Sequence, residues 1–74
     1  MEIQIKLFAT LREGRGKLVT KEFSSAVTPK EVLEALNINE EDVAILLVNG
    51  LDGTLDQELQ DGDMLSVFPP VGGG

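Results

Sequence analysis

The chain has 74 residues and a net charge of −7, from 13 acidic and 6 basic side chains, and it contains no cysteine or histidine. This composition excludes disulfides, thiolate metal sites and histidine-based acid–base catalysis, so the protein is expected to enter a reaction as a substrate and not as a catalyst. An acidic surface repels phosphate backbones, which argues against nucleic-acid binding. The surplus charge either serves solubility or steers the domain toward a basic partner.

The length predicts one small domain, and 42% hydrophobic residues are enough to form its core. No apolar run approaches the ~20 residues that span a bilayer. The N-terminus lacks the basic region of a secretion signal, so a cytoplasmic protein without membrane contact is expected.

The chain begins with a predicted strand in which apolar and polar residues alternate. Ile3, Ile5 and Leu7 alternate with Glu2, Gln4 and Lys6. Such alternation is typical of a half-buried strand, and by parity Phe8 falls on its polar face. Residues 9–16 are interpreted as a connection with Gly14 and Gly16 as turn residues, and residues 17–23 as a second strand that forms a hairpin with the first.

A helix is predicted from residue 28 onward. Thr28 can cap it, Pro29 suits the first helical position and Glu31 completes a capping box. The apolar stripe expected to face the core consists of Val32, Leu33 and Leu36. The acidic residues 40–42 follow. They predict either the first turn of a short second helix capped by Asn39 or a cation site, and solvated helix-start charge is the simpler interpretation.

The middle of the chain predicts a third strand at residues 45–48, which ends in the turn signal Asn49-Gly50. Residues 51–54 are interpreted as a continuation of that turn. Leu55 and Leu59 are expected to anchor a loop beneath the sheet. The chain then reaches a last strand.

The last strand, residues 64–68, follows a tight turn at Asp61-Gly62-Asp63. Leu65 and Val67 share one face of this strand, and Phe68 takes the other. The element order predicts an α+β fold, with a mixed sheet of four to five strands packed on one main helix. The first and last strands are expected side by side at the centre.

If these two strands pair, Phe8 and Phe68 both lie on the face away from the helix. Two exposed aromatic side chains there predict a docking patch for a partner, and the alternative is that loops cover both rings as a satellite core.

The tail, residues 69–74, is expected to extend from a domain of residues 1–68. Pro69 and Pro70 favour an extended, polyproline-like backbone. Three glycines then remove every Cβ atom, so that the tip could thread a channel that admits only main chain. The alternative is an ordinary frayed terminus.

Several segments of the sequence resemble the ubiquitin-like MoaD/ThiS sulfur-carrier family, and within it the small subunits of molybdopterin synthase. They are Leu7 to Glu13 (LFATLRE), Val48-Asn49-Gly50, the turn Leu59-x-Asp61-Gly62-Asp63, and Phe68 to Gly74 (FPPVGGG). The resemblance spans the whole chain, and the last segment is its specific part. It implies a β-grasp fold.

The resemblance also implies a function. A ubiquitin-activating-type adenylyltransferase would use ATP to convert the carboxylate of Gly74 into a mixed anhydride with AMP, and a sulfur donor would then produce a thiocarboxylate. The large subunit of molybdopterin synthase (MoaE-like) would take this sulfur for its pterin precursor. Gly73 and Gly74 would enter both partner active sites, and no cofactor or metal is expected to bind the chain itself.

Further residues match family positions that contact partners. They are Phe8, Arg12, Leu51, Phe68, Pro69, Pro70, Val71 and Gly72. Arg12 is interpreted either as the partner of a carboxylate on another protein or as a solvated loop arginine. A different function is also open, because some archaeal relatives conjugate the same terminal carboxylate to lysines of other proteins as modifiers.

Overall fold

A mixed five-stranded sheet and one α-helix make up the part of the chain that the computed structural model describes, residues 1–70. The elements are β1 (Glu2–Leu7), β2 (Leu18–Glu22), α1 (Pro29–Ala35), β3 (Ile45–Val48), β4 (Leu51–Asp52) and β5 (Met64–Phe68). Short 3₁₀ turns lie at Ala9–Arg12 and Glu40–Asp42. The strand order in the sheet is β2-β1-β5-β3-β4. Within residues 1–70, no helix is long and apolar enough to cross a membrane.

The central pair of the sheet is β1 and β5, which run parallel, with Ile5 opposite Leu65 and Leu7 opposite Val67. The pairs β1–β2 and β3–β5 are antiparallel. The predicted central position of the first and last strands and the predicted first hairpin are therefore confirmed. Because directly opposed residues share a face, the apolar rows of both central strands meet on one side of the sheet.

The helix packs its apolar stripe against that side. Val32 and Leu33 join the side chains of the central strands in one buried cluster. The predicted capping box is present, because the Glu31 N–H donates to Thr28 Oγ1 over 3.3 Å and the Thr28 N–H donates to Glu31 Oε1 over 3.0 Å. Leu59 is fully buried in the same cluster, and Leu55 packs against it.

Two local expectations need correction. Leu51–Asp52 form a short strand, and are not a continued turn, because the Asn49-Gly50 turn has positive φ at both residues and returns the chain directly along β3. Asn39 precedes the second 3₁₀ turn without capping it through its side chain. The connection after Phe8 opens with a 3₁₀ turn that buries Leu11.

The end of the sheet where β5 begins is closed by the Asp61-Gly62-Asp63 turn. The Asn49 side chain donates to Asp63 Oδ1 over 2.9 Å and accepts from the Met64 N–H over 2.9 Å. Asp61 Oδ1 accepts from the Glu2 N–H over 2.6 Å. These bonds satisfy main-chain donors at the start of β1 and β5, and so hold both central strands in register.

Arg15 ties the connection between β1 and β2 to the end of α1. Its Nε donates to Leu36 O over 3.0 Å, Nη2 donates to Asn37 O over 3.1 Å, and Nη1 donates to Leu11 O over 3.2 Å. The last carbonyls of a helix have no partner within the helix, and a cation there also opposes the negative end of the helix dipole. Arg15 is therefore a C-terminal cap supplied from another part of the chain.

We expect Arg15→Ala to lower the free energy of unfolding by about 2 kcal/mol, because carbonyls that bonded to a charged donor lose it. Arg15→Lys should recover only part of this loss, since an ammonium cannot reproduce the planar fork of the guanidinium. The exposed neighbour Lys17 provides the control, because Lys17→Ala removes the same charge without touching α1. Urea denaturation measures all three variants, and equal losses for Arg15→Ala and Lys17→Ala would contradict the assignment.

Candidate functional site

The parallel pairing of β1 and β5 brings Phe8 and Phe68 into contact. The ring centroids lie 4.1 Å apart with an interplanar angle of 10°, so that the rings stack in parallel. Both side chains are half-buried, on the face of the sheet away from the helix. The face assigned by parity is confirmed, whereas the expectation of two exposed rings needs correction, since each ring covers part of the other.

The stacked rings form the floor of an open apolar groove with a volume of about 540 Å³. Its other walls come from the first 3₁₀ turn, the start of β3 and the end of β5. The groove is lined by Phe8, Ala9, Thr10, Ala44, Ile45, Phe68, Pro69 and Pro70. Ile45 is 50% exposed and lies directly opposite Phe68. An exposed apolar groove of this kind, with rigid aromatic anchors at its centre, suits a protein partner.

Arg12 lies at the rim of this groove. Its guanidinium carbon is 5.4 Å from the centroid of the Phe8 ring, within the range of a cation–π contact, and its Nε donates to Leu7 O over 2.8 Å. The side chain remains exposed. The structure thus holds Arg12 in place next to the stack with its remaining donors facing solvent, and a pairing with a partner carboxylate stays a prediction.

The backbone of the groove wall is strained at Ala9. This residue has φ of 53°, in the left-handed region that residues with a Cβ atom rarely adopt. The strained turn redirects the chain immediately after Phe8, and its N-cap residue Phe8 is still extended. Strain of this type persists where the surrounding structure requires it, and is common at binding sites.

Pro69 and Pro70 lie between two cavities. Besides the apolar groove, a more polar cavity of about 400 Å³ lies on their other side, with Arg15 and Asp42 in its wall. The start of the predicted tail therefore emerges from a surface with recesses on both sides. Val71, Gly72, Gly73 and Gly74 lie outside the described residues, so their predicted roles are untested.

Leu51 is separate from the groove. It lies opposite Val48, whose side chain is buried on the helix side of the sheet, and Val48 in turn lies opposite Leu65 at the beginning of β5. Leu51 therefore lies on the other face and near the other end of the sheet from Phe68. The structure brings together the predicted residues of the first and last strands, and leaves Leu51 apart from them.

Sequence reasoning missed four residues of the groove wall, namely Ala9, Thr10, Ala44 and Ile45. Ala44 and Ile45 lie at the start of an apolar run that continues to Val48. Apolar and polar residues do not alternate in this run, so the sequence does not indicate which side chains face outward. Only the antiparallel register of β3 against β5 shows that Ile45 shares the face of Phe68. Among residues 1–70 no group of three or more acidic side chains is arranged to hold a metal ion, and residues 40–42 form an exposed 3₁₀ turn.

The stack predicts energetic coupling between its two rings. Phe8→Ala and Phe68→Ala should each lower the free energy of unfolding, and the double variant should lose about 1 kcal/mol less than the sum of the two single losses. Urea denaturation of the four proteins measures this double-mutant cycle. Strictly additive losses would show that the rings pack independently of each other.

The strain at Ala9 predicts an unusual response to glycine. Ala9→Gly should raise the free energy of unfolding by about 0.5 kcal/mol, because glycine adopts positive φ without a steric cost. The matched control is Ala44→Gly, an exposed alanine in the same groove wall without positive φ, which should instead lose about 0.5–1 kcal/mol. Thermal and urea unfolding distinguish the two signs, and a similar loss in both variants would contradict the strain.

Several known proteins resemble this chain in sequence, in fold or in both. Residues 5–74 match the model of the ThiS family. Small archaeal modifier protein 3 of Haloferax volcanii is 34% identical, with 100% of both chains covered. The crystal structure of small archaeal modifier protein 1 of the same organism has a TM-score of 0.81 at 27% identity, with 100% of both chains covered. The putative molybdopterin converting factor subunit 1 of Pyrococcus furiosus has a TM-score of 0.78 at 27% identity, covering 96% of this chain and 99% of that one. The chain thus belongs to the ThiS family of ubiquitin-like β-grasp proteins.

Proposed function

We propose that the protein is a sulfur carrier that acts through the carboxylate of Gly74 and delivers sulfur to the large subunit of a molybdopterin synthase. The observation that carries the proposal is the position of the apolar groove. Phe8 and Phe68 stack at the point where β5 ends and the Pro69-Pro70 segment begins. A partner that covers this groove is thereby placed next to the start of the tail.

The composition of the tail supports the same role. Beyond Asp63 the sequence has no ionisable side chain, so a carboxylate at Gly74 is the single charge expected there. Glycines without Cβ atoms suit a narrow channel in which an enzyme contacts main chain alone. The two prolines restrict the backbone, which lowers the entropy lost when a partner orders the tail.

The proposed reaction begins with attack of a Gly74 carboxylate oxygen on the α-phosphorus of ATP, held by a ubiquitin-activating-type enzyme. Pyrophosphate leaves and an acyl-adenylate forms. A carboxylate resists nucleophiles because it is negatively charged and lacks a good leaving group, whereas AMP leaves readily. A sulfur donor then displaces AMP, and the resulting thiocarboxylate carries the sulfur to the pterin precursor. The protein supplies the substrate carboxylate and the docking surface, and its partners supply the catalytic groups.

The chemistry of the groove indicates which side chains a partner would present to it. Its apolar floor suits an aliphatic or aromatic side chain of the partner, and Arg12 at the rim suits a carboxylate beside it. The same groove would serve the activating enzyme and the synthase subunit in turn, since both need access to the same tail. The structural similarity to the Pyrococcus furiosus protein, a putative molybdopterin converting factor subunit 1, favours this use.

A second candidate function is protein modification through an amide bond between Gly74 and lysine side chains of other proteins. The 34% identity with small archaeal modifier protein 3 favours it. The acyl-adenylate is common to both functions, because a lysine amine can displace AMP or a thiol that replaces it, just as a sulfur donor can. The two functions differ in the group that attacks the activated carboxyl carbon of Gly74: a sulfur donor in the carrier, and a lysine amine in the modifier.

The first experiment is an intact-mass measurement on the protein isolated from its native cells, with a search for lysine linkages in the same sample. We expect a mass gain that matches replacement of one terminal oxygen by sulfur. Appending one alanine after Gly74 should abolish this gain, because the enzyme then meets a displaced carboxylate. The matched control inserts the same alanine between Ser24 and Ser25, in an exposed loop, and so adds one residue while it leaves the terminus in place.

The outcomes distinguish the carrier, the modifier and a protein with neither function. Sulfur at the terminus without lysine linkages supports the carrier, and linkages without sulfur support the modifier. An unchanged mass, with no linkages and with full function after deletion of Gly73 and Gly74, would contradict both.

A further inference from the structure

Charge is distributed unevenly along the chain and over the folded domain. Ten acidic residues follow Lys30 and no lysine or arginine does, whereas five of the six bases lie between Lys6 and Lys21. The bases therefore lie on β1, β2 and their connection. The acidic residues dominate α1, the second 3₁₀ turn, the β3–β4 hairpin and the loop that leads to β5. A surface of one sign attracts a partner of the opposite sign.

An apolar strip lies within this acidic part of the surface, beside β4. Leu51 is 74% exposed, more than any other large hydrophobic side chain in residues 1–70. Gly53 lies two residues further along the same edge, and its N–H donates to Leu46 O over 3.0 Å, which continues the pairing with β3. A cavity of about 210 Å³ adjoins this edge, and its wall includes Glu40, Val43, Leu46, Gly53 and Leu55. We call Leu51 together with this cavity the β4 surface.

Carboxylates border the β4 surface. Glu40 lies in the cavity wall, and Glu41 follows it in the same exposed turn. Asp56 is exposed next to Leu55, which also lines the cavity. An apolar recess with a frame of carboxylates is complementary to an aliphatic side chain with cationic neighbours.

Lys30 is the base in contact with this frame. Its Nζ lies 3.6 Å from Glu40 Oε1, and the two side chains are 56% and 50% exposed. An exposed ion pair of this kind contributes little to stability, so a cationic side chain of a partner can take the place of Lys30 at small cost. Lys30 therefore competes with a basic partner for the same carboxylate.

The β4 surface and the apolar groove lie on opposite faces of the sheet. Leu51 shares the helix-side face of Val48, whereas Ile45 shares the open face of Phe68. Ala44 alone borders both cavities. A segment bound at the β4 surface thus leaves the stacked rings and the start of the tail accessible.

We propose that the β4 surface is a second docking site, and that it binds a segment of a partner protein in which lysine or arginine residues flank an aliphatic residue. The aliphatic side chain enters the cavity beside Leu51, and the cations meet the carboxylate frame. Two copies of a chain with a net charge of −7 repel each other, which favours a different, basic protein over a second copy. The proposal does not depend on the chemistry of Gly74.

The test is an NMR titration of the full ¹⁵N-labelled chain with a synthetic peptide that has two leucines between pairs of lysines. We expect saturable shifts at the amides of Leu51, Gly53 and Leu55, with little change at Phe8 and Thr10. A second peptide with serines in place of the leucines should bind at least about fivefold more weakly, because the cavity then remains unfilled. Added salt should weaken binding of both peptides.

Matched variants separate this site from general attraction to an acidic protein. Leu51→Ser should weaken binding of the leucine peptide about fivefold. Leu18→Ser, at an exposed leucine on the opposite edge strand, should leave the affinity for this peptide unchanged. Lys30→Gln should tighten binding about twofold more than Lys6→Gln, although both remove one positive charge. Circular dichroism verifies that each variant is folded.

Three results would overturn the proposal. Equal binding of the leucine and serine peptides would show that charge alone attracts the probe. Equal effects of the two leucine variants, or of the two lysine variants, would show that the β4 surface has no special role. The same shifts on raising the concentration of the protein itself, without peptide, would show that this surface takes a second copy.

Discussion

The parallel pairing of β1 with β5 is the constraint on which the rest of the structure depends. It joins the first and last strands at the centre of the sheet and opposes Ile5 to Leu65 in the core. Continued by one residue, the same register places Phe8 against Phe68 on the other face of the sheet. A shift of either strand by one residue would turn its apolar row out of the core and would separate the two rings. The core and the candidate site therefore depend on the same pairing.

Polar side chains satisfy main-chain groups at the start of the central strands and at the end of α1. At the start of the central strands, Asn49 accepts from the Met64 N–H and Asp61 accepts from the Glu2 N–H. At the end of α1, Arg15 joins this helix to the connection after β1. Each of these hydrogen bonds satisfies a main-chain group that has no partner within its own element. Loss of the bond would leave that group bonded to water or without a partner. Arg15 thus ties the first 3₁₀ turn, which borders the apolar groove, to the end of α1, although Arg15 itself does not line the groove.

The two faces of the sheet present different chemistry. The open face offers stacked aromatic rings with a guanidinium at the rim, next to the start of the tail. The edge of the helix-side face offers aliphatic side chains among carboxylates. In a domain of this size nearly every side chain is close to the surface, so the two recesses are shallow and lie on different faces. The proposed carrier function gains from this separation, since one face can bind a partner while the tail is used.

Local sequence determined much of the secondary structure of this protein. Alternation in residues 2–7, the capping box at Thr28 and the Asn49-Gly50 turn each need only a few neighbouring residues, and the structure confirms all three. The composition of the tail is likewise a property of the sequence itself. The short strand β4 was missed because two residues carry no period, and its existence depends on pairing with β3.

Tertiary structure alone decided the features that join distant residues. Arg15 reaches Leu36 across 21 positions, and Ile45 joins the groove only through its register with Phe68. Sequence could place Phe8 and Phe68 on one face, but whether the rings face solvent or each other depended on their distance in space. The position of Leu51 also depended on the fold. The family resemblance grouped Leu51 with the two rings, whereas the β3–β4 hairpin places it on the opposite face of the sheet. Periodicity reports which face a side chain takes within its own strand, whereas contacts between strands depend on the fold as a whole.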